Sequence, residues 1–160
     1  MKGYWNKPDE TANVMTDDCW FRTGDIGYLD DRGLVYITDR LKRMINISGT
    51  GKKAWASVIE NEILEHPDIL ECVVVAINKG TDQEAAKAFV RFAEGKTLTE
   101  AQIREHLASR LSKLEIPKHF EFVTEPLPQT SVGKPDWKKL EDQEAARSPH
   151  KVQRSCPIPS

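Results

Sequence analysis

The run Glu71–Ile77, ECVVVAI, constrains this chain more than any other stretch. It is a near-continuous apolar segment of strand length, consistent with a strand buried inside a layered fold. A second strand, AKAFVRF over 86–92, follows the loop NKGTDQE and alternates more clearly. Ahead of both, Val58, Ile59, Ile63 and Leu64 fall at helical spacing from Ala56 onward, and His66-Pro67 closes the segment. Residues 99–114 open with Thr99 as an N-cap and set Ile103, Leu107 and Leu111 on one face. HFEFV, 119–123, reads as a third strand, followed by the loop PLPQTSVGK and a last helix from about Asp136. The order over about 43–141 is helix, strand, strand, helix, strand, loop, helix. It predicts an α+β fold, a small mixed sheet with helices packed on it.

The flanks differ. Residues 1–25 read as irregular and turn-rich, with Tyr4, Trp5, Trp20 and Phe21 needing something to pack against. IGYLDDRGLVYIT carries a β-hairpin signal, two apolar stretches around Asp-Asp-Arg-Gly. RMINIS is a further short strand candidate, and GTGKKAW is a loop by composition. The first 40 residues are too few for a core of their own and read as the edge of another domain. The stretch 145–160 shows no periodicity and is expected to be a disordered tail.

Composition narrows the function classes. A net charge of -2 gives no basic surplus for nonspecific nucleic-acid binding. No apolar run approaches the roughly 20 residues of a transmembrane segment, and MKGYWNKPDE lacks the apolar stretch of a signal peptide. Cys19, Cys72 and Cys156 are too few and too scattered for a metal site or a disulfide framework. They read as reduced thiols of a cytoplasmic protein, with Cys72 in the core. ISGTGKKAW superficially suggests a phosphate loop. Asn46 stands at its first glycine position, however, and Lys53 where a magnesium-holding hydroxyl is needed, so a P-loop is rejected.

Three stretches hold candidate chemistry: WFRTGDIGYLDDRG, DRLKRMINISG and LPQTSVGK. Taken singly each has an ordinary reading. Thr23-Gly24-Asp25 is a turn tripeptide with Asp25 as its cap, Asp39-Arg40 a surface ion pair, and Lys134 a solvated charge. Together with GYWNKPDETANV, VIENEILEHPDILECVVVAI and AKAFVRF, in this order, they resemble the C-terminal part of the adenylate-forming superfamily. That superfamily includes acyl-CoA synthetases, luciferases and the adenylation domains of peptide synthetases.

The resemblance covers roughly residues 1–141. It implies that 1–41 are the C-terminal edge of a large AMP-binding domain and that 42–144 are a small mobile lid domain. Such enzymes join a carboxylate to the α-phosphate of ATP, release pyrophosphate and pass the acyl group to a thiol. ATP, Mg2+ and CoA are the implied cofactors and cosubstrates. The implied partners are the large N-terminal domain and a carboxylic acid, with no nucleic acid and no resident metal site.

By the same resemblance, Asp25 matches the aspartate that accepts hydrogen bonds from the ribose hydroxyls, a role suited to a two-oxygen acceptor. Arg40 matches the arginine that also reaches the ribose, and Ile37 an apolar position beside the nucleoside. Lys134 matches the lysine that bridges carboxylate and α-phosphate, where a cation stabilises two approaching anions. Lys42 matches the hinge about which the lid rotates between half-reactions. Ser48 and Gly49 match the loop brought in for the thiol, with Gly49 leaving room for a pantetheine arm.

The chain departs from the pattern at Trp55, near an expected proline, at Gln83, in place of a usual glycine, and at Pro135, after the lysine. Pro135 suits a helix start and holds the residue before it extended. The chain is expected to be a piece of a longer enzyme, incapable of the full reaction alone. Other readings are a carrier-protein pantetheine as acceptor, a luciferase-type second step, a noncatalytic interaction module and, last, a nucleic-acid binder using Arg40, Lys42, Arg43, Lys52 and Lys53.

Overall fold

A computed structural model describes residues 1–47, 49–82 and 84–147. Ser48, Gln83, Cys156 and most of the expected tail lie outside the described residues. The chain divides into two compact units, residues 1–43 and the part from Met44 onward.

The first unit opens with a helix α1, Pro8–Val14, where an irregular stretch was expected. Pro8 begins it, and Asp9 and Glu10 complement its N-terminal dipole, so the helix is set by its start signals rather than by an apolar stripe. Strands β1, Asp25–Leu29, and β2, Val35–Arg40, form the expected antiparallel hairpin. Its turn is a tight one. Gly33 N–H donates to the Asp30 carbonyl at 2.9 Å, Asp30 N–H donates to the Leu34 carbonyl at 3.0 Å, and Gly33 has φ +79°. That is a type I turn closed by a left-handed glycine. Tyr28 and Tyr36 stack across the strands with centroids 5.1 Å apart. A short 3-10 turn, Leu41–Arg43, ends the unit.

The second unit carries a three-stranded mixed sheet. Strands β5, Ile69–Ile77, and β6, Ala85–Phe92, run antiparallel, while β7, His119–Val123, lies parallel to β6. The parallel connection is made by helix α3, Glu100–Ala108, capped by Thr99 in a reciprocal box with Gln102. The helix is shorter than expected. Leu111 lies beyond its end yet still packs, partly buried, against the core.

A second hairpin, β3 (Met44–Ile47) with β4 (Lys52–Trp55), precedes helix α2, Ala56–Leu64. KKAW is therefore a strand, not a loop. Its polar composition hides that Ala54 is fully buried opposite Ile45. A strand also stands where a phosphate loop would need a helix.

The sheet explains the ECVVVAI run. Cys72, Val74 and Ala76 face α2, α3 and the β3–β4 hairpin, packing with Ile59, Ile63 and Ile103. Val73 and Val75 face the other way, against Phe89, Leu127 and Leu140. Both faces of this edge strand are covered, so Cys72–Ile77 runs without a polar break. Leu140 belongs to the last helix, α4, Trp137–Arg147, which extends past the expected boundary at Ala145. Helix α4 is fastened by a charged cluster. Lys87 lies 2.7 Å from Glu121 and 2.8 Å from Glu144, and Arg147 contacts both carboxylates.

Candidate functional site

In the first unit, three of the sequence-selected residues share the β1–β2 hairpin. Asp25 and Arg40 are register partners, and the Arg40 guanidinium donates directly to the Asp25 carboxylate. The expected Asp39-Arg40 ion pair is not what forms. Strand alternation turns neighbouring side chains to opposite faces; Asp39 is buried and accepts from the Arg40 backbone N–H at 2.6 Å. Within its turn the Asp25 N–H donates to the Thr23 hydroxyl at 3.1 Å.

The hydrogen bond from Arg40 holds the Asp25 carboxyl below the usual carboxylate range, with a further contribution from Thr23. Asp25 is therefore an anionic acceptor throughout the neutral range. Ile37 is exposed on β2 and pairs with Gly27. Lys42 occupies the 3-10 turn that directly follows β2.

In the second unit, Gly49 sits in the turn of the β3–β4 hairpin with φ +73°, and a Cβ built there would meet nothing within 4 Å. Glycine is needed there for the left-handed backbone. The open space beside it is compatible with an approaching chain. Glu84 supports this hairpin from below. Its carboxylate, 2% exposed, accepts the Asn46 backbone N–H at 2.8 Å and the Gly80 N–H at 2.9 Å.

Lys134 lies on a small hairpin. Gly133 N–H donates to the Thr130 carbonyl at 2.9 Å, Thr130 N–H to the Lys134 carbonyl at 2.7 Å, and Gln129 bridges Pro135. Gly133 has φ +76°. The turn has the same design as the one at Asp30–Leu34. Pro135 belongs to the hairpin arm and does not start the helix; α4 begins at Trp137, where Asp136 accepts the Lys139 N–H at 3.1 Å as its cap. Lys134 is exposed, and among the described residues its ammonium has no carboxylate partner.

Both arms of this hairpin are anchored. On one side Leu127 is buried, and its N–H donates to Glu71 at 3.0 Å. Arg91 holds that carboxylate with two bonds, of 3.0 and 2.7 Å, and the Arg91 pairing keeps Glu71 below the usual carboxylate range. On the other side α4 is fixed by Leu140 and the Lys87 cluster. A cavity of about 270 Å³ lies along the hairpin, lined in part by Leu64, Leu70, Val73 and Pro135. Glu71 and Glu84 escaped the sequence reading, because an acidic residue flanking an apolar strand is an ordinary surface feature. The available signal was Arg91, one of two charges, with Lys87, in a mostly apolar strand.

Residues 58–134 match the family model described as AMP-binding enzyme C-terminal domain. The chain is 42% identical over 134 residues to a long-chain-fatty-acid–CoA ligase of Bacillus subtilis, covering 84% of this chain and 23% of that protein. It is 39% identical over 133 residues to a 2-succinylbenzoate–CoA ligase of Geobacillus kaustophilus, covering 83% and 26%. Among solved structures, ATP-bound MatB from Rhodopseudomonas palustris superposes with a TM-score of 0.81 at 34% identity, over 92% of this chain and 29% of that one. The chain thus spans about a quarter of the length of these relatives.

Proposed function

Because the chain belongs to the AMP-binding enzyme C-terminal domain family, we propose that it is the C-terminal portion of an AMP-forming acid–CoA ligase. In this reading residues 1–41 complete the edge of a large AMP-binding domain, 42–144 form the lid, and Lys42 is the hinge between them. Lys134 is the adenylating cation. It meets the acid carboxylate and the ATP α-phosphate together, and offsets the charge that accumulates as one anion attacks the other.

The observation that carries this reading is the state of Lys134. Its ammonium is exposed and has no carboxylate partner among the described residues, while the backbone beneath it is fixed at both ends. An ordinary surface lysine needs no such support. Asp25 and Arg40 would share the ribose, Asp25 accepting from the hydroxyls and Arg40 holding the carboxylate in place. Ile37 would pack beside the nucleoside. Gly49 and Ser48 would receive the CoA thiol arm in the second half-reaction. Mg2+ would arrive with ATP on the large domain. Among the described residues no group of three His, Cys, Asp or Glu side chains could hold it.

The test adds the full chain to the separately expressed large domain of the Bacillus subtilis ligase and follows acid-dependent pyrophosphate exchange. The expected result is a gain that Lys134→Ala reduces on the order of 100-fold, with little change in CoA-dependent consumption of preformed acyl-adenylate. Equal exchange with Lys134→Ala would refute the assignment.

A further inference from the structure

We propose that Glu71 and Glu84 are positioning residues, each tying one of the two reactive loops to the central sheet, so that the two half-reactions depend on separate carboxylates. The inference rests on the reading that assigns Lys134 to adenylation and the turn at Gly49 to thiol transfer.

The two carboxylates do the same job at different places. Glu71 accepts the Leu127 N–H at the base of the Lys134 hairpin. Glu84 accepts the Asn46 N–H near the end of β3, at the base of the hairpin whose turn holds Gly49. Each tie runs through backbone, Glu71 to the Leu127 N–H and Glu84 to the Asn46 N–H. A carboxylate taken out of water is costly unless its oxygens are bonded. Glu84 meets that cost with Asn46 and Gly80, and Glu71 with Arg91 and Leu127.

Their separation makes the two ties independent. On the β5–β6 ladder Glu71 pairs with Arg91 near one end, and Ala85, next to Glu84, pairs with Ile77 at the other. Six residue steps from Glu71 to Ile77 span about 20 Å of strand. Sites that far apart with no shared partner respond additively. The two hairpins therefore attach at opposite ends of one ladder, each with its own tie.

Two properties of the Lys134 hairpin make its tie consequential. Outside its turn it is closed at the bridge Gln129–Pro135, by the Asp136 N–H donating to the Pro128 carbonyl at 2.7 Å. The cavity along it replaces packing that would otherwise hold it against Leu64 and Leu70. Loss of the Glu71 bond leaves one arm of the hairpin held by Leu127 packing alone, while the α4 cap still holds the other. The lysine then keeps its charge but loses its aim, and reactions sensitive to placement at the ångström scale slow sharply.

The experiment uses Glu71→Gln and Glu84→Gln in the full chain, with the large domain supplied as above and both half-reactions measured separately. Glu71→Gln is expected to lower pyrophosphate exchange about tenfold and leave acyl-adenylate consumption within about twofold; Glu84→Gln is expected to do the reverse. In the chain alone, amide exchange at Leu127 should accelerate only in the first variant, and at Asn46 and Gly80 only in the second. Glu71→Asp and Glu84→Asp keep the charge while shortening its reach. They serve if either amide variant unfolds, and the same split is expected.

Equal losses in both half-reactions, or released amides without any loss, overturn the proposal. A Lys134→Ala chain that exchanges normally identifies the lysine assignment as the failure instead. A normal Lys134→Ala loss beside unsplit glutamate variants sinks only the two-tie inference.

Discussion

Lys134 depends on a neighbour that carries no chemistry. Gly133 turns the chain at φ +76°, where a Cβ would meet no neighbouring atom, so only the backbone conformation excludes other residues. Gly133→Ala is expected to cost about 1 kcal/mol, visible as a lower urea midpoint with an unchanged slope. Gly33 makes the same turn and gives an internal comparison. Glu71 adds a pH dependence with a definite sign. Arg91, and secondarily the Leu127 N–H, depress its carboxyl in the folded chain. Its stabilising contribution is therefore complete above the ordinary carboxylate range and lost as pH falls through the lowered value. Leu127 amide protection should follow that loss on acid titration, and in Glu71→Gln it should be pH-independent over the same window. The order of the motifs along the chain, not any single residue, nominated Lys134, Asp25 and Arg40. The Asp25–Arg40 contact was hidden because its partners lie 15 positions apart and meet only through hairpin register.

At the scale of elements, α4 decides whether the lysine hairpin has a fixed far end. Asp136→Ala removes its cap at a cost of about 1 kcal/mol. Lys87→Met should cost more, about 3 kcal/mol in chemical denaturation, because it leaves Glu121 and Glu144 with only the exposed Arg147 between them. Burial alone would raise Glu121, yet hydrogen bonds from Lys87 and Arg147 hold its carboxyl below the usual range. The substitution removes the Lys87 bonds and leaves Arg147 alone against both carboxylates. Elements with strong periodicity were legible from sequence: α2, the strands β5 to β7, and the capped start of α3. Strand β4 was not, since KKAW presents one buried alanine and owes its extended form to pairing with β3. Helix α1 was missed for a related reason, as it buries no residue and leaves no apolar stripe to detect.

For the whole molecule, the division after Arg43 has a measurable counterpart. Both apolar clusters draw only on residues from Ile45 onward, so a chain of residues 44–147 should fold alone with one cooperative thermal transition. A broad or absent transition would show that residues 1–43 are needed for the core. The hairpin of the first unit leaves Leu29, Val35 and Ile37 exposed, as the edge of a larger domain would. The paired strands β5 and β6 have a further consequence as a spacer. Lengthening both by two residues would move the Gly49 and Lys134 hairpins about 7 Å farther apart, like extending the arm of a lever. A one-residue extension would instead exchange the two apolar faces and abolish the core. Across variants of this fold, the spacing of these two hairpins can therefore change through the sheet only in two-residue steps.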